Sequence, residues 1–201
     1  MTSVIDVLKI IIPFQIVQVL YKSLFFSGYF NLLCLKGLRL QRNQVTVSKS
    51  HQLKVISEWG PDFKVQADIT VNKFDSIHRR NIFHITRIQN HEEGDRIPSV
   101  WLNQDNELEI CHSIIGNEFY CENVKVQLNK KYTLAIQQYQ GTLYISLDNY
   151  MIRTVPNVNP KVYRDVALFT SDPWSLAFSK DYGLVENLQV LADFDNSGKN
   201  T

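Results

Sequence analysis

The chain has 201 residues, with 21 Lys and Arg against 20 Asp and Glu, so its formal net charge is only +1. This length suits one domain with an N-terminal appendage, and the balanced charge argues against a nucleic-acid partner, which needs clustered basic residues. The contents of 8 Gly and 6 Pro exclude collagen-like and disordered chains, whereas 11 Phe, 9 Tyr and 3 Trp are typical of strand-rich sequences.

Residues 1–43 differ in composition from the rest of the chain. Between Ile10 and Leu35 the only charged residue is Lys22, yet Pro13 and several polar residues interrupt the apolar run that a membrane helix needs. No small-residue cleavage site of a secretory signal follows. Three interpretations stay open: a degenerate signal or signal-anchor, an amphipathic helix that is peripheral or packed on the domain, and sequence that is absent from the mature protein. Any membrane contact is predicted through this segment alone.

Residues 44–192 are predicted to form an antiparallel β-sandwich, followed by a polar tail at 193–201. In Phe63–Val71 apolar and polar residues alternate, which indicates a strand with one buried face and one wet face. Residues 81–89 are apolar on both faces and are predicted to form a central strand. The other predicted strands are 45–47, 52–57, 97–103, 107–112, 119–126, 132–138, 142–147, 150–155, 166–170 and 183–191. About eleven to thirteen short strands at this spacing favour a sandwich or a barrel.

Two cysteines flank a predicted turn in the middle of the chain. A turn centred on Gly116 places Cys111 opposite Cys121, and residues that face each other in this way have Cα atoms about 4.5–5.5 Å apart, within reach of a disulfide. The alternative is a pair of free, half-buried thiols. We predict a structural disulfide, which indicates an oxidising compartment, and this pairing leaves Cys34 without a partner.

The order of these elements resembles the concanavalin-A-like jelly rolls, and most of all the laminin-G-like modules of animal extracellular proteins. The resemblance covers about residues 52–192 and is carried by EWGPDFKVQADITV, NIFHIT, GDRIPSVWLNQDNELEIC, YTLAIQQYQGTLYISLDN, SDPW and GLVENLQVL. It implies a non-catalytic module that is extracellular or secreted and binds glycan or protein ligands. It also implies that calcium is a candidate ion, because laminin-G-like modules often hold calcium at a rim of loops.

Three carboxylates in the same stretch raise the alternative of a glycoside hydrolase. Asp105, Glu107 and Glu109 share one strand face, and retaining glycosidases use two carboxyl groups about 5–5.5 Å apart. Their order departs from that of the glucanases of this broad fold. We therefore predict no catalytic residue and a solvated face, with Leu108 and Ile110 directed into the core. A hydrolase that uses Glu107 and Glu109 is the alternative.

Loop residues supply the remaining candidates for a site. No cofactor is predicted; if calcium binds, Asp95 and Asp172 are the candidate ligands, in keeping with a calcium-dependent, lectin-like carbohydrate binder as a further alternative. Local pairing with Arg96 is the competing interpretation of Asp95. Trp174 is the candidate for stacking on a sugar ring, and Asn90 lies in a polar loop that could contact a ligand.

Overall fold

The computed structural model describes residues 38–87 and 95–192. The predictions for residues 1–37, including Cys34, for Asn90 and for the tail at 193–201 lie outside the described residues. Within the described part of the chain, no helix is long and apolar enough to cross a membrane.

The described residues form thirteen β-strands and no α-helix. The strands are β1 (Leu38–Val45), β2 (Gln52–Trp59), β3 (Phe63–Val71), β4 (Arg80–Arg87), β5 (Ser99–Leu102), β6 (Glu107–Ile114), β7 (Asn117–Lys125), β8 (Lys131–Tyr139), β9 (Thr142–Leu147), β10 (Tyr150–Pro156), β11 (Tyr163–Phe169), β12 (Leu176–Ala177) and β13 (Gly183–Ala192).

The strands form two sheets that pack face to face. The six-stranded sheet has the order β1-β13-β3-β8-β9-β10, and the seven-stranded sheet has the order β2-β11-β4-β5-β6-β7, with β12 beside β4. All pairings are antiparallel except that of the two-residue β12, which runs parallel to β4. The predicted all-β antiparallel sandwich is confirmed.

The core between the sheets follows the alternation of the sequence. In β3 every second residue is buried from Phe63 to Val71, as the pattern of polar and apolar residues predicts. Leu108 and Ile110 of β6 are fully buried on the facing sheet, again as predicted. Burial of such side chains contributes about 1.5–3 kcal/mol each, so the alternation selects which face of each strand turns inward.

Strand β4 is central, as its apolar character on both faces predicts. It lies between β11 and β5, with Phe83 and Ile85 in the core. On its outer face His84 is also fully buried, and its ring meets that of Trp101 edge-on, with 5.3 Å between centroids. The guanidinium of Arg79 stacks 3.9 Å from the centre of the Trp101 ring, so the outer face here is covered rather than wet.

The boundary between the N-terminal segment and the sandwich lies earlier than predicted. Strand β1 pairs with β13 from Leu38, opposite Ala192, to Val45, opposite Val185. Residues 38–43 therefore belong to the six-stranded sheet. Composition misplaced the boundary because an edge strand that follows an apolar run lacks the turn signal that would mark its start.

The β6–β7 hairpin has the predicted register at its cysteines, with a shift between His112 and Ile114 closer to the turn. Cys111 pairs with Cys121, their Cα atoms are 4.1 Å apart, and a disulfide joins their sulfur atoms. Gly116 ends the two-residue turn with φ of +79°, a left-handed conformation that glycine adopts without steric cost. The disulfide therefore clamps the hairpin a few residues away from its tip.

Candidate functional site

An open cleft of about 390 Å³ lies where the tip of the β6–β7 hairpin meets the segment between β10 and β11. We call it the end cleft. Its volume falls within the range of about 300–1,000 Å³ that is usual for small-molecule sites. Its lining residues are Ser113, Ile114, Ile115, Gly116, Glu118, Asn157, Lys161 and Tyr163.

One buried amide holds the two walls of the end cleft together. Asn157 is 1% exposed; its Nδ2 donates to Gln138 Oε1 at 2.9 Å, and its Oδ1 accepts a hydrogen bond from the backbone N of Ile115 at 2.9 Å. Its own backbone N donates to the carbonyl of Gly141 at 2.7 Å. Asn157 therefore joins the hairpin tip of one sheet to the end of β8 in the other, which fixes the position of both walls.

A small space adjoins the end cleft and shares Ser113, Lys161 and Tyr163 with it. We call it the polar chamber. Its volume is about 10 Å³, close to the minimum of about 10–15 Å³ that one water molecule needs. The residues that line it are Trp59, Gly60, Pro61, Phe63, His112, Ser113, Gln138, Pro160, Lys161 and Tyr163.

Three residues that line the polar chamber each carry a buried side-chain nitrogen with no hydrogen-bond partner among the described residues. These nitrogens are Trp59 Nε1, His112 Nδ1 and Gln138 Nε2, on side chains that are 1%, 3% and 1% exposed. A buried polar atom without a partner costs about 1–3 kcal/mol, and native proteins satisfy nearly all such atoms. The chamber is therefore suited to a group that both accepts and donates hydrogen bonds.

The end cleft and the polar chamber carry no excess charge. Burial lowers the pKa of His112 to about 3, so its imidazole is neutral at physiological pH. Burial raises the pKa of Tyr163, whose phenol remains protonated, although its hydrogen bond with Ser113 acts in the opposite direction. Lys161 Nζ lies 2.5 Å from Glu118 Oε1, and this contact raises the pKa of the lysine. One cation is thus matched by one anion at the rim.

The carboxylates considered for catalysis lie elsewhere. Glu109 Oε2 is 2.5 Å from Nε of Arg79, which stacks on Trp101, and the Glu109 side chain is only 20% exposed. The prediction that this face is solvated is therefore wrong for Glu109, because Arg79 covers it. Glu107 accepts a hydrogen bond from Asn103 Nδ2 at 3.4 Å. Neither glutamate lines the end cleft or the polar chamber.

The residues proposed as calcium ligands both contact His84. Its Nδ1 lies 2.8 Å from Asp172 Oδ2 and its Nε2 lies 2.6 Å from the backbone oxygen of Asp95. The Asp172 carboxylate also accepts hydrogen bonds from the backbone N and Oγ of Ser175, whereas that of Asp95 is held by Arg87 at 2.5 and 2.9 Å. The two carboxylates thus serve as acceptors for protein donors. Arg87 thus binds the Asp95 carboxylate, and the pairing of Asp95 with Arg96 stays a prediction.

Trp174 is the exposed tryptophan, as predicted. Its side chain is 37% exposed, and its ring lies edge-on to that of His84 with 6.2 Å between centroids. Trp101 is 2% exposed, in keeping with the prediction that it is packed. Trp174 does not line the end cleft, so it is a separate aromatic surface next to the His84–Asp172 contact.

One group of three residues resembles a metal site, but two of them are the cysteines of the disulfide. Ligand atoms of Glu109, Cys111 and Cys121 lie within 4.8 Å of one another. The two sulfurs are joined to each other, so neither is a thiolate that could bind an ion. The disulfide instead stabilises the hairpin whose tip forms one wall of the end cleft.

The residues of the polar chamber were not recognised in the sequence, although a signal for two of them exists. His112 follows Leu108 and Ile110 at the next inward position of β6, and Gln138 follows Ile136 in the same way on β8. A polar residue at the last inward position of an apolar alternation indicates a polar end of the core. Nothing local links these positions to Trp59 or Asn157.

Comparison with known proteins supports the fold and no specific function. No family model matches the chain, and no curated protein matches it. Among solved structures, Trypanosoma rangeli sialidase in complex with 2,3-difluorosialic acid is similar with a TM-score of 0.53 at 9% identity, over 91% of this chain and 38% of that chain. A second structure of the same sialidase has a TM-score of 0.51 at 11% identity, over 68% of this chain and 21% of that chain.

The present chain spans only about a fifth to two fifths of these sialidase chains. Galectin LEC-6 of Caenorhabditis elegans has a TM-score of 0.40 at 14% identity, over 76% of this chain and 94% of that chain, which is too low to support an argument. At 9% and 11% identity, the similarity to the two sialidase structures supports the β-sandwich fold alone. The laminin-G-like resemblance stays a prediction.

Proposed function

We propose that this chain is a non-catalytic recognition module that binds glycan ligands in the end cleft. The observation that carries the proposal is the set of three buried nitrogens without partners, at Trp59, His112 and Gln138, beside an open cleft of about 390 Å³. Sugars present hydroxyl groups that both donate and accept hydrogen bonds. Such groups match a cleft whose polar lining is mostly neutral.

The lining of the end cleft does not fit the two-carboxylate mechanism of glycoside hydrolysis. Glycosidases that follow the two-carboxylate mechanism need a pair of Asp or Glu residues on either side of the scissile bond. Glu118 is the acidic residue among the described residues that line the cleft, and its carboxylate contacts Lys161. The cleft thus offers one carboxylate where this chemistry needs two.

The disulfide supports an extracellular or secreted location for the module. Disulfides persist in oxidising compartments and are rare in the cytosol. The bond between Cys111 and Cys121 is also next to the site, because the hairpin that it clamps carries Ile115 and Glu118. The laminin-G-like resemblance fits the same location, and with it a glycan of the cell surface or matrix as ligand.

A glycan array with the purified full-length chain tests this function, followed by titration calorimetry with the sugars that it retains. Replacement of Lys161 with Met removes a donor at the rim and is expected to weaken binding by about two- to tenfold, as for the loss of one hydrogen bond. Lys131→Met is the matched control, since Lys131 also forms an exposed ion pair, with Glu186 at 2.6 Å, and does not line the cleft.

Two results would contradict a non-catalytic, glycan-binding role, and a third would contradict the end cleft as its site. One is an array that retains no glycan, which would leave a protein ligand as the alternative. The other is hydrolysis of a retained glycan that is abolished by Glu107→Gln or Glu109→Gln, which would make the chain a glycoside hydrolase. If Lys161→Met and Lys131→Met weakened glycan binding equally, the binding site would lie outside the end cleft.

A further inference from the structure

We infer that the polar chamber receives a single hydroxyl group of a neutral sugar, so that the end cleft prefers neutral glycans to acidic ones. This inference rests on the proposed function and adds to it the chemical class of the ligand. Three properties of the chamber carry it, namely its donors and acceptors, its size and its charge.

The hydrogen-bonding groups of the polar chamber match those of a hydroxyl. The indole N–H of Trp59 can only donate. Gln138 Oε1 already accepts from Asn157 Nδ2 at 2.9 Å, so the group of Gln138 without a partner is its N–H donor. Neutral His112 accepts at Nδ1 when its proton is on Nε2. A hydroxyl oxygen accepts from two donors and gives its own proton to one acceptor, which uses all three groups.

The size of the polar chamber matches a single oxygen atom better than a larger polar group. Its volume of about 10 Å³ holds one oxygen atom with its hydrogen. A carboxylate has two oxygens on a planar carbon, and an acetamido group is larger still. A group that ends in a single oxygen matches this volume while the rest of the sugar stays in the end cleft.

The charge of the site leads to the same conclusion. An anion in the chamber would lose its hydration among neutral groups, which is costly unless a cation is close by. The cation that lines the chamber is Lys161, and its ammonium is in contact with Glu118. An acidic sugar would have to compete with Glu118 for this lysine, whereas a neutral sugar leaves the pair intact.

The inference is tested with methyl glucoside, methyl galactoside and methyl mannoside, their single-deoxy analogues, glucuronate and sialic acid. Dissociation constants are measured for the wild-type chain, for Gln138→Met and for the control Gln137→Met, which lies next to it on the opposite face of β8. We expect one deoxy analogue of the bound sugar to bind at least about tenfold more weakly, since it leaves buried donors without a partner. We expect glucuronate and sialic acid to bind less well than the neutral sugars.

The variants test whether the weaker binding of the deoxy analogue, which we call the deoxy penalty, arises in the polar chamber. Gln138→Met removes one donor of the chamber and also the oxygen that accepts from Asn157 Nδ2. The deoxy penalty should fall severalfold in this variant and should stay as in the wild type in Gln137→Met. Trp59→Phe removes the second donor and gives an independent measurement if Gln138→Met does not fold.

Each remaining outcome overturns the inference. Deoxy analogues that all bind within about twofold of the parent sugar would show that the chamber holds resident water only, while the end cleft could still bind glycans. A penalty that is unchanged in both Gln138→Met and Trp59→Phe would place the recognised hydroxyl elsewhere. Equal or tighter binding of glucuronate or sialic acid would contradict the neutral class. If the chain binds none of these sugars, the inference fails, whereas the proposed function fails only if the glycan array also retains no glycan.

Discussion

His84 Nδ1 lies 2.8 Å from Asp172 Oδ2, and both side chains are fully buried although 88 positions separate them in the chain. The same carboxylate accepts hydrogen bonds from the backbone N of Trp174 at 3.0 Å and from that of Ser175 at 2.6 Å. The contact therefore fastens the loop after β11 to the central strand β4. It also orients the exposed Trp174 above the sheet.

Replacement of Asp172 with Asn is expected to lower the free energy of unfolding by about 1.5–3 kcal/mol, the usual contribution of a hydrogen bond to a charged group. The amide keeps one oxygen acceptor but loses the charge and the second acceptor that face His84 and Ser175. The measurement is urea unfolding at neutral pH. Asp165→Asn is the control, because Asp165 is exposed and its φ of +52° suits asparagine, so its change should stay within about 0.5 kcal/mol. Equal effects of the two substitutions would contradict the structural importance of the contact.

We also expect Asp172 to make the free energy of unfolding depend on pH. Burial by itself would raise the pKa of Asp172, but hydrogen bonds from His84 and Ser175 outweigh this effect and hold the pKa below its ordinary value. An unfolded Asp titrates near pH 3.9, so folding favours the ionised form; its contribution is complete above that pH and is lost as pH falls through the folded pKa.

The difference in unfolding free energy between the wild-type chain and Asp172→Asn should therefore shrink below about pH 4. Urea unfolding at a series of pH values from neutral to strongly acidic measures this difference. A difference that stays constant down to the acidic limit, or that grows, would show that Asp172 is not ionised in the folded protein.

Removal of the disulfide is expected to destabilise the chain by about 2–3 kcal/mol, the value for closure of a loop of this length. The bond joins cysteines that are 10 positions apart in sequence, within one hairpin. The measurement is urea unfolding of Cys111→Ala with Cys121→Ala against the wild-type chain, with and without a thiol reductant. Reductant should lower the stability of the wild-type chain and leave that of the double variant unchanged. A wild-type chain that is insensitive to reductant would indicate free thiols.

Calcium is not expected to raise the melting temperature. The carboxylates of Asp95 and Asp172 are bound by Arg87 in the first case and by His84 and Ser175 in the second, and an ion would have to displace these donors. Thermal unfolding with millimolar calcium and then with excess chelator measures the effect. Because a ligand that binds the folded state stabilises it in proportion to its concentration over Kd, a rise in melting temperature with calcium would restore the calcium-dependent lectin alternative.

Local periodicity determined much of the fold without reference to the rest of the molecule. Alternation in Phe63–Val71 predicted which side chains are buried, and the turn at Gly116 predicted the pairing of Cys111 with Cys121. Both predictions rest on interactions within one strand or one hairpin, where the backbone geometry repeats every two residues. A register shift between His112 and Ile114 lies between the turn and the cysteines, so the pairing also depends on this irregularity.

Tertiary structure alone decided what surrounds each polar residue. Whether Glu109 is solvated depends on Arg79, which lies in another part of the chain and packs over it. The polar chamber likewise combines Trp59, His112 and Gln138, from three strands in two sheets. A sequence pattern reports which face of a strand a residue occupies, but the partners on that face come from long-range packing. The strand order was therefore needed to find the end cleft, whereas the sequence alone was sufficient to predict the sandwich that contains it.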